Sequence, residues 1–252
     1  MTAAPPAWPR DPEQIRVLRS CPEILDLARA RRICDIVHFT TSRGALGILS
    51  RRAVLSRKRL PAEAYLEHVY RPNASVRKDI DWLDYISLSI SRINDWMFEA
   101  SRRWHVAEGV SWVVMSFTPE ILAHPGVVFA TTNNIYPARL RAEGTSGLEQ
   151  MFASQVAGRY AGIKIRQAGC PANWTTDRQA EVLYPGEISL AHLQRIDVQT
   201  ESCHDDVEGM LGALNLDVPV RFAPHFFELS VSMGLTSPDM HARTAATARR
   251  GL

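Results

Sequence analysis

The chain has 252 residues, of which 46% are hydrophobic and 22% charged, enough to bury a sizeable core in one domain or one domain with extensions. The formal net charge of +2 excludes a partner selected by global charge, so any nucleic-acid surface has to be local. Cys21, Cys34, Cys170 and Cys203 form no CxxC pair and no zinc-finger spacing with a histidine, which is the pattern of reduced thiols in a cytosolic protein.

The opening MTAAPPAWPRDPEQ has no basic segment followed by an apolar one, and no apolar run approaches about 18 residues. Neither export nor a membrane span is expected, and the expected location is the cytoplasm. Residues 1–10 carry Pro5, Pro6 and Pro9 and read as a loose arm. Asp11-Pro12-Glu13 and Ser20-Cys21-Pro22-Glu23 each offer a helix start, the second followed by the stripe Ile24, Leu25, Leu27, Ala28. Residues 1–34 are therefore expected as an arm and a helical pair packed on the main domain.

A strand is expected at 35–39 (DIVHF), then a helix capped by Thr40-Thr41-Ser42 and bearing Leu46, Ile48 and Leu49. Residues 53–55 read as a short strand and 61–70 as a helix. Residues 84–91 (DYISLSIS) alternate, with Tyr85, Ser87 and Ser89 on one face and Ile86, Leu88 and Ile90 on the other. The apolar run 112–117 (WVVMSF) predicts a central strand, with another at 127–130 and a helix over 148–156. Residues 158–178 read as irregular and polar. A strand then carries Glu181, followed by a short helix near 189–192, a strand at 193–198 and a helix over 205–214. The tail, 236–252, contains Pro, Ala and Arg, its last twelve residues (HARTAATARRGL) are polar and basic, and it is expected to be flexible. No repeat or linker divides the chain, and the expectation is an α+β fold with one core over 35–235.

The chain lacks GxGxxG after a strand, GxxxxGK[ST], HExxH and GxSxG. Three features carry chemistry. His38-Phe39-Thr40 ends a strand just before a helix. His38 there is either a structural hydrogen-bonder or a ligand for a sugar hydroxyl. The polar face Tyr85, Ser87, Ser89, continued by Arg92 and Asn94, is either half solvated or the lining of a pocket. In TTDRQAEVLYPGE (175–187), Glu181 shares its strand face with Gln179 and Leu183, opposite Ala180, Val182 and Tyr184. Its carboxylate either points to water or stands catalytically at the lip of a cleft. A carboxylate hydrolase of another fold would want a paired acid, and the nearest, Asp177, lies in a loop.

HFTTSRGALGILSRRAVLS (38–56), DYISLSISRINDWMF (84–98), VFATTNN (128–134) and NWTTDRQAEVLYPGEISLAHLQRIDV (173–198) resemble the ADP-ribosyltransferase fold, and specifically the DarT family, whose members ADP-ribosylate bases in DNA. The resemblance spans 35–215. It implies split central β-sheets with flanking helices, an N-terminal helical extension, NAD as co-substrate and no metal. His38 and Thr40 match the family's HxT element, which holds NAD. Phe39, Leu55, Tyr85 and Ser87 fall in the implied NAD pocket. Glu181 matches the catalytic glutamate. Arg77 is the better match by spacing to a functional arginine and Arg71 the second. Asn133 resembles a loop asparagine of the family.

On the acceptor side, the loop before Glu181 carries Arg159, Tyr160, Lys164, Arg166, Trp174 and Arg178. A second basic run, 43–59, holds Arg43, Arg51, Arg52, Arg57, Lys58 and Arg59 with no acid between. Basic groups follow phosphates and aromatics stack on unpaired bases, so the expected partner is single-stranded DNA. The stretch ISLSISRINDWMF departs from the thymidine-modifying branch, with serines in place of aromatics and no proline, which leans toward guanine over thymine. The resemblance further implies the toxin of a toxin–antitoxin system, paired with a macrodomain or NADAR-type hydrolase that removes ADP-ribose. The alternatives are the same chemistry on RNA or protein, or a non-catalytic nucleic-acid-binding module.

Overall fold

The computed structural model describes residues 21–61, 80–106, 109–136, 139–159 and 162–227. The helix start at Asp11, the helix expected over 61–70 and the tail from 236 lie outside or almost entirely outside them.

A short, near-continuous apolar run rich in β-branched and aromatic residues suits a strand covered on both faces, and β4 (Trp112–Phe117) is that strand. Val113, Met115 and Phe117 enter one core and Val114 the other, all fully buried. β1 (Ile36–Thr41) pairs antiparallel with it along all six residues, and β11 (Leu193–Val198) takes its other side. β12 (Val220–Phe222) adds in parallel to β11. On the far side of β1 stand β3 (Tyr85–Ile90), β9 (Glu181–Pro185), β5 (Val128–Ala130) and β6 (Arg141–Glu143). The eight strands run in the order β12-β11-β4-β1-β3-β9-β5-β6.

The join between the halves is short. β1 and β3 pair only at Ile36↔Ile90 and Val37↔Ser89, whereas Tyr85–Leu88 of β3 pair with β9. Beyond Val37 the strands part, β1 staying with β4 and β3 with β9. The sheet thus opens into two halves, the split architecture expected from the resemblance.

Helices cover the larger core by burying residues one turn apart. α1 (Pro22–Ala30) buries Ile24 and Ala28, α2 (Ser42–Arg51) buries Ala45 and Leu49, and α5 (Glu201–Leu214) buries Cys203, Val207 and Leu211. α3 (Asp95–Trp104) covers the other face through Phe98, against Phe39 and Trp112. Side-chain caps begin three of them: Thr41 Oγ1 accepts the Gly44 N–H, Asn94 Oδ1 that of Met97, and Thr200 Oγ1 that of Cys203.

Three expectations shift. The helix over 148–156 is α4 (Gly144–Gln150), after which the chain turns into β7 (Gln155–Ala157). β7 pairs with β8 (Ile163–Ile165), so the region read as irregular holds a hairpin, closed by the Gly158 N–H on Gly162 O. α3 was not expected. Asn94, read as pocket lining, is also its cap, and β3 has already ended at Ile90, after which Ser91 takes the left-handed region at φ 61°. Below the main sheet, β2 (Ala53–Leu55) pairs with β10 (Glu187–Ser189). No helix among the described residues is long and apolar enough to cross a membrane.

Candidate active site

The wedge between the parted strands opens into one cavity of about 630 Å³, within the ordinary range of small-ligand sites. β1 supplies His38, Phe39 and Thr40 to its wall, β2 supplies Leu55, and β3 supplies Tyr85 and Ser87. Glu181 and Asn133 enter from the same half of the sheet as β3, facing β1 across the opening. The structure therefore brings these expected site residues together. Arg71, Arg77 and Tyr160 lie outside the described residues.

Glu181 is the first residue of β9, opposite Ala130 of β5. Period two holds: Val182 and Tyr184 enter the larger core, while Leu183 packs with Val128 and Ala130 beneath Trp82 and Tyr85. The face shared by Glu181 and Leu183 is not half solvated, because Leu183 is 3% exposed. The carboxylate opens on the cavity instead, and its Oε2 accepts the main-chain N–H of Asn134 at 3.0 Å.

Three hydrogen bonds hold the chain entering β9 against the turn after β5. Thr132 Oγ1 donates to Asp177 Oδ2 at 2.6 Å, Asn134 N to Glu181, and Tyr136 OH to Gln179 Oε1 at 2.8 Å. Asp177 also accepts the Gln179 N–H at 2.9 Å and is 3% exposed. It is a brace for the strand entry, which is what a buried carboxylate must be when all its partners are donors of the fold. Thr132, Asn134 and Tyr136 gave no local signal of this, being more than 40 residues from their partners in sequence.

His38 Nδ1 sits 3.3 Å from Ser87 O, across the opening of the sheet. A carbonyl only accepts, so Nδ1 carries the proton. Burial, partly opposed by that carbonyl, pushes the imidazole below its ordinary pKa. The neutral ring leaves Nε2 as an acceptor. Its exposure is to the cavity rather than to bulk water. Arg51 and Arg57 of the basic run also line the cavity. Arg52 turns to Leu214 O, and Arg59 pairs with Asp84, which also accepts from Ser56 Oγ.

The acceptor-side residues stand elsewhere. Arg166 donates to the carbonyls of Trp174 and Pro171 at 2.6 and 2.7 Å, binding the loop to itself. Arg178 pairs with Asp95 at 2.6 Å. Trp174 lies under the guanidinium of Arg92 at 4.3 Å, and burial, followed by the charge of Arg178, lowers the Arg92 pKa to about 10. Arg159 stands 5.5 Å from the ring of Trp96 and 5.7 Å from that of Tyr136. Trp96 is 57% exposed and was not singled out from the sequence. Among the described residues no group of three or more His, Cys, Asp or Glu could hold a metal ion.

Residues 37–228 match the family model described as DarT, ssDNA thymidine ADP-ribosyltransferase. No curated protein matches the chain. Among solved structures, the fold is similar to Thermus sp. 2.9 DarT in complex with ADP-ribosylated ssDNA, with TM-score 0.58 and 15% identity over 78% of this chain and 97% of that one. The same DarT in complex with NAD+ gives TM-score 0.56 and 15% identity over 77% and 98%. Thermosipho africanus DarTG in complex with ADP-ribose gives TM-score 0.53 and 13% identity over 78% of this chain and 51% of that one. At such identities the likeness establishes the fold.

Proposed function

As a member of the DarT family, the chain is an NAD-dependent ADP-ribosyltransferase, and we propose that it transfers ADP-ribose to a base of single-stranded DNA with Glu181 as the catalytic carboxylate. The observation that carries this reading is that Glu181, held by the Asn134 N–H, shares one cavity with His38 and Thr40 from the other half of the sheet.

The bond between nicotinamide and ribose breaks, and nicotinamide leaves with the electron pair. Positive charge develops on the ribose, and a carboxylate fixed beside it stabilises that charge. A base nitrogen then bonds to the same ribose carbon and loses its proton, for which Glu181 is the nearby base. His38 Nε2 accepts from a ribose hydroxyl of NAD. Arg51 and Arg57 face its diphosphate. Arg71 or Arg77 adds a further cation.

The acceptor strand lies over Trp96, Tyr136 and Arg159, where an exposed aromatic and a guanidinium suit unpaired bases. Arg166, Arg178 and Trp174 shape the loop beside it. The family description supports thymine as the modified base. Guanine is the second reading, favoured by Ser87 and Ser89 in place of aromatics on β3. The likeness to half of the DarTG chain supports the part of a toxin, paired with a macrodomain or NADAR-type antitoxin.

The test is incubation with NAD and four single-stranded oligonucleotides, each offering one base type in an inert spacer, read by intact mass. One ADP-ribose on the thymine oligonucleotide alone, absent with Glu181→Gln, is the expected result. An adduct on guanine alone replaces the base. NAD consumption with no DNA adduct moves the acceptor to RNA or protein, and no NAD consumption overturns the reading in favour of a binding module.

A further inference from the structure

The register of the sheet puts three residues in one row. Glu181 of β9 lies opposite Ala130 of β5, and Ala130 lies opposite Arg141 of β6. Residues directly opposite on paired strands share a face, so Arg141 and Glu181 stand on the same face, two strand spacings or about 10 Å apart. The turn between β5 and β6 brings Asn134 into that gap. Arg141 Nη1 donates to Asn134 Oδ1 at 3.1 Å, and the Asn134 main-chain N–H donates to Glu181 Oε2 at 3.0 Å.

Each link is constrained. Asn134 is 5% exposed, so an unpaired amide oxygen there would be costly. The Arg141 guanidinium lies over the ring of Trp82 at 4.3 Å, and Trp82 packs on Tyr85 at 4.7 Å. Stacking fixes the plane of the guanidinium and therefore the direction of its N–H toward Asn134. Arg141 itself is not among the residues lining the cavity.

We propose that Arg141 is a positioning residue for the reaction: through the side chain of Asn134 it fixes the main-chain N–H that aims the Glu181 carboxylate. The inference rests on Glu181 being the catalytic group. Arg141 touches no substrate. It sets the turn at Asn134, and the turn sets the carboxylate. A lysine would keep a charged donor in reach of Asn134 Oδ1 but lose the planar stack.

The experiment is a mutant cycle on nicotinamide release from NAD in the presence of the single-stranded oligonucleotides, with kcat and KM for NAD separated. Arg141→Ala and Asn134→Ala each remove the same link. Each is expected to lower kcat about tenfold or more, with KM for NAD within about twofold. The double variant is expected to be no slower than the worse single, because both break one chain of contacts. Arg141→Lys, which keeps a donor but loses the stack on Trp82, is expected to recover part of the lost rate. Wild-type kcat in Arg141→Ala, additive losses in the double variant, or a raised KM with kcat unchanged would each overturn the proposal. If Arg141→Ala does not fold, Arg141→Met, which keeps an apolar stem on Trp82 but donates nothing to Asn134, runs the same cycle with Asn134→Ala. A wild-type protein that releases no nicotinamide sinks the transferase reading itself, and with it this inference. Nicotinamide release by the wild type with no effect of Arg141 sinks this inference alone.

Discussion

A glutamine in place of Glu181 would fill the same space, and either side chain can accept the Asn134 N–H through an oxygen. Only the charge differs. Glu181→Gln is therefore expected to leave NAD affinity nearly unchanged and to slow nicotinamide release by about 10²–10³-fold, the size of one preorganised electrostatic contact. An equal rise in Kd measured by titration with NAD would instead mark Glu181 as a binding residue. His38 makes a different contribution. With Nδ1–H spent on Ser87 O, its neutral ring offers NAD one acceptor. His38→Ala is expected to raise KM by up to about tenfold, the worth of one hydrogen bond, with a smaller effect on kcat. Burial lowers the His38 pKa, so the acceptor is present above pH 6.5 and is lost only as pH falls through the depressed folded value. A KM profile that rises between pH 8 and 6.5 because of His38 would contradict this assignment.

At the scale of the element, α2 begins where β1 ends, and both serve the cavity. Thr41 caps the helix and Thr40 faces the site, so the first turn is crowded. A Cβ on Gly44 would stand 2.3 Å from Thr40 Oγ1 and 3.4 Å from Thr41 Oγ1. Alanine is the better helix former, yet here it would force Thr40 to rotate. Gly44→Ala is expected to leave the thermal midpoint within a few degrees of wild type while weakening NAD binding several-fold. The pair of measurements, unfolding and NAD titration, separates the two effects. A variant that loses stability and keeps its affinity would place the crowding in the helix rather than in the site. The element also shows why α3 escaped the sequence reading. Polar residues run on past β3 at Ser91, Arg92 and Asn94, and the boundary is set by the left-handed Ser91 and by the bond from the Met97 N–H to Asn94 Oδ1, neither of which periodicity shows.

At the scale of the molecule, a second contact away from the cavity ties the sheet halves together. The Tyr184 hydroxyl on β9 and His124 Nδ1, between β4 and β5, share a hydrogen bond of 2.6 Å. The His192 ring, just before β11, lies 4.9 Å from that of His124. Burial and then the charge of His192 push the His124 pKa down to about 4, with Glu120 opposing, and burial raises that of Tyr184 to about 12. His192 is lowered as well, again by burial. The folded protein thus keeps His124 neutral where the unfolded chain would charge it. The unfolded state binds more protons between about pH 6.5 and about 4, so stability is lost as pH falls through that window and is level above it as far as these groups are concerned. The thermal midpoint is expected to drop from pH 6.5 to 4, and His124→Gln, which can still bond Tyr184, is expected to flatten that drop. An identical pH dependence in the variant would assign it to other groups.

The strands at 85–90 and 112–117, the cap at Thr41, and the facing of Glu181 with Leu183 were legible in the sequence, whereas the helix expected over 205–214 begins at Glu201 behind a Thr200 cap that was not read. Each legible feature is set by a local period of two or 3.6 or by a cap within three residues. The family resemblance added the pairing of His38 with Glu181. What the tertiary structure alone decided is where distant segments meet. It parts β1 from β3 after Val37, so that His38 faces Ser87 O across 49 residues of sequence. It supplies Glu181 with the Asn134 N–H across 47 residues. It makes Asp177 a brace, and it ties Arg166 and Arg178 to the fold rather than leaving them as open phosphate contacts. The reason is physical: periodicity says which face a side chain takes, but register between strands says what stands opposite it. Register is set by the whole packed sheet.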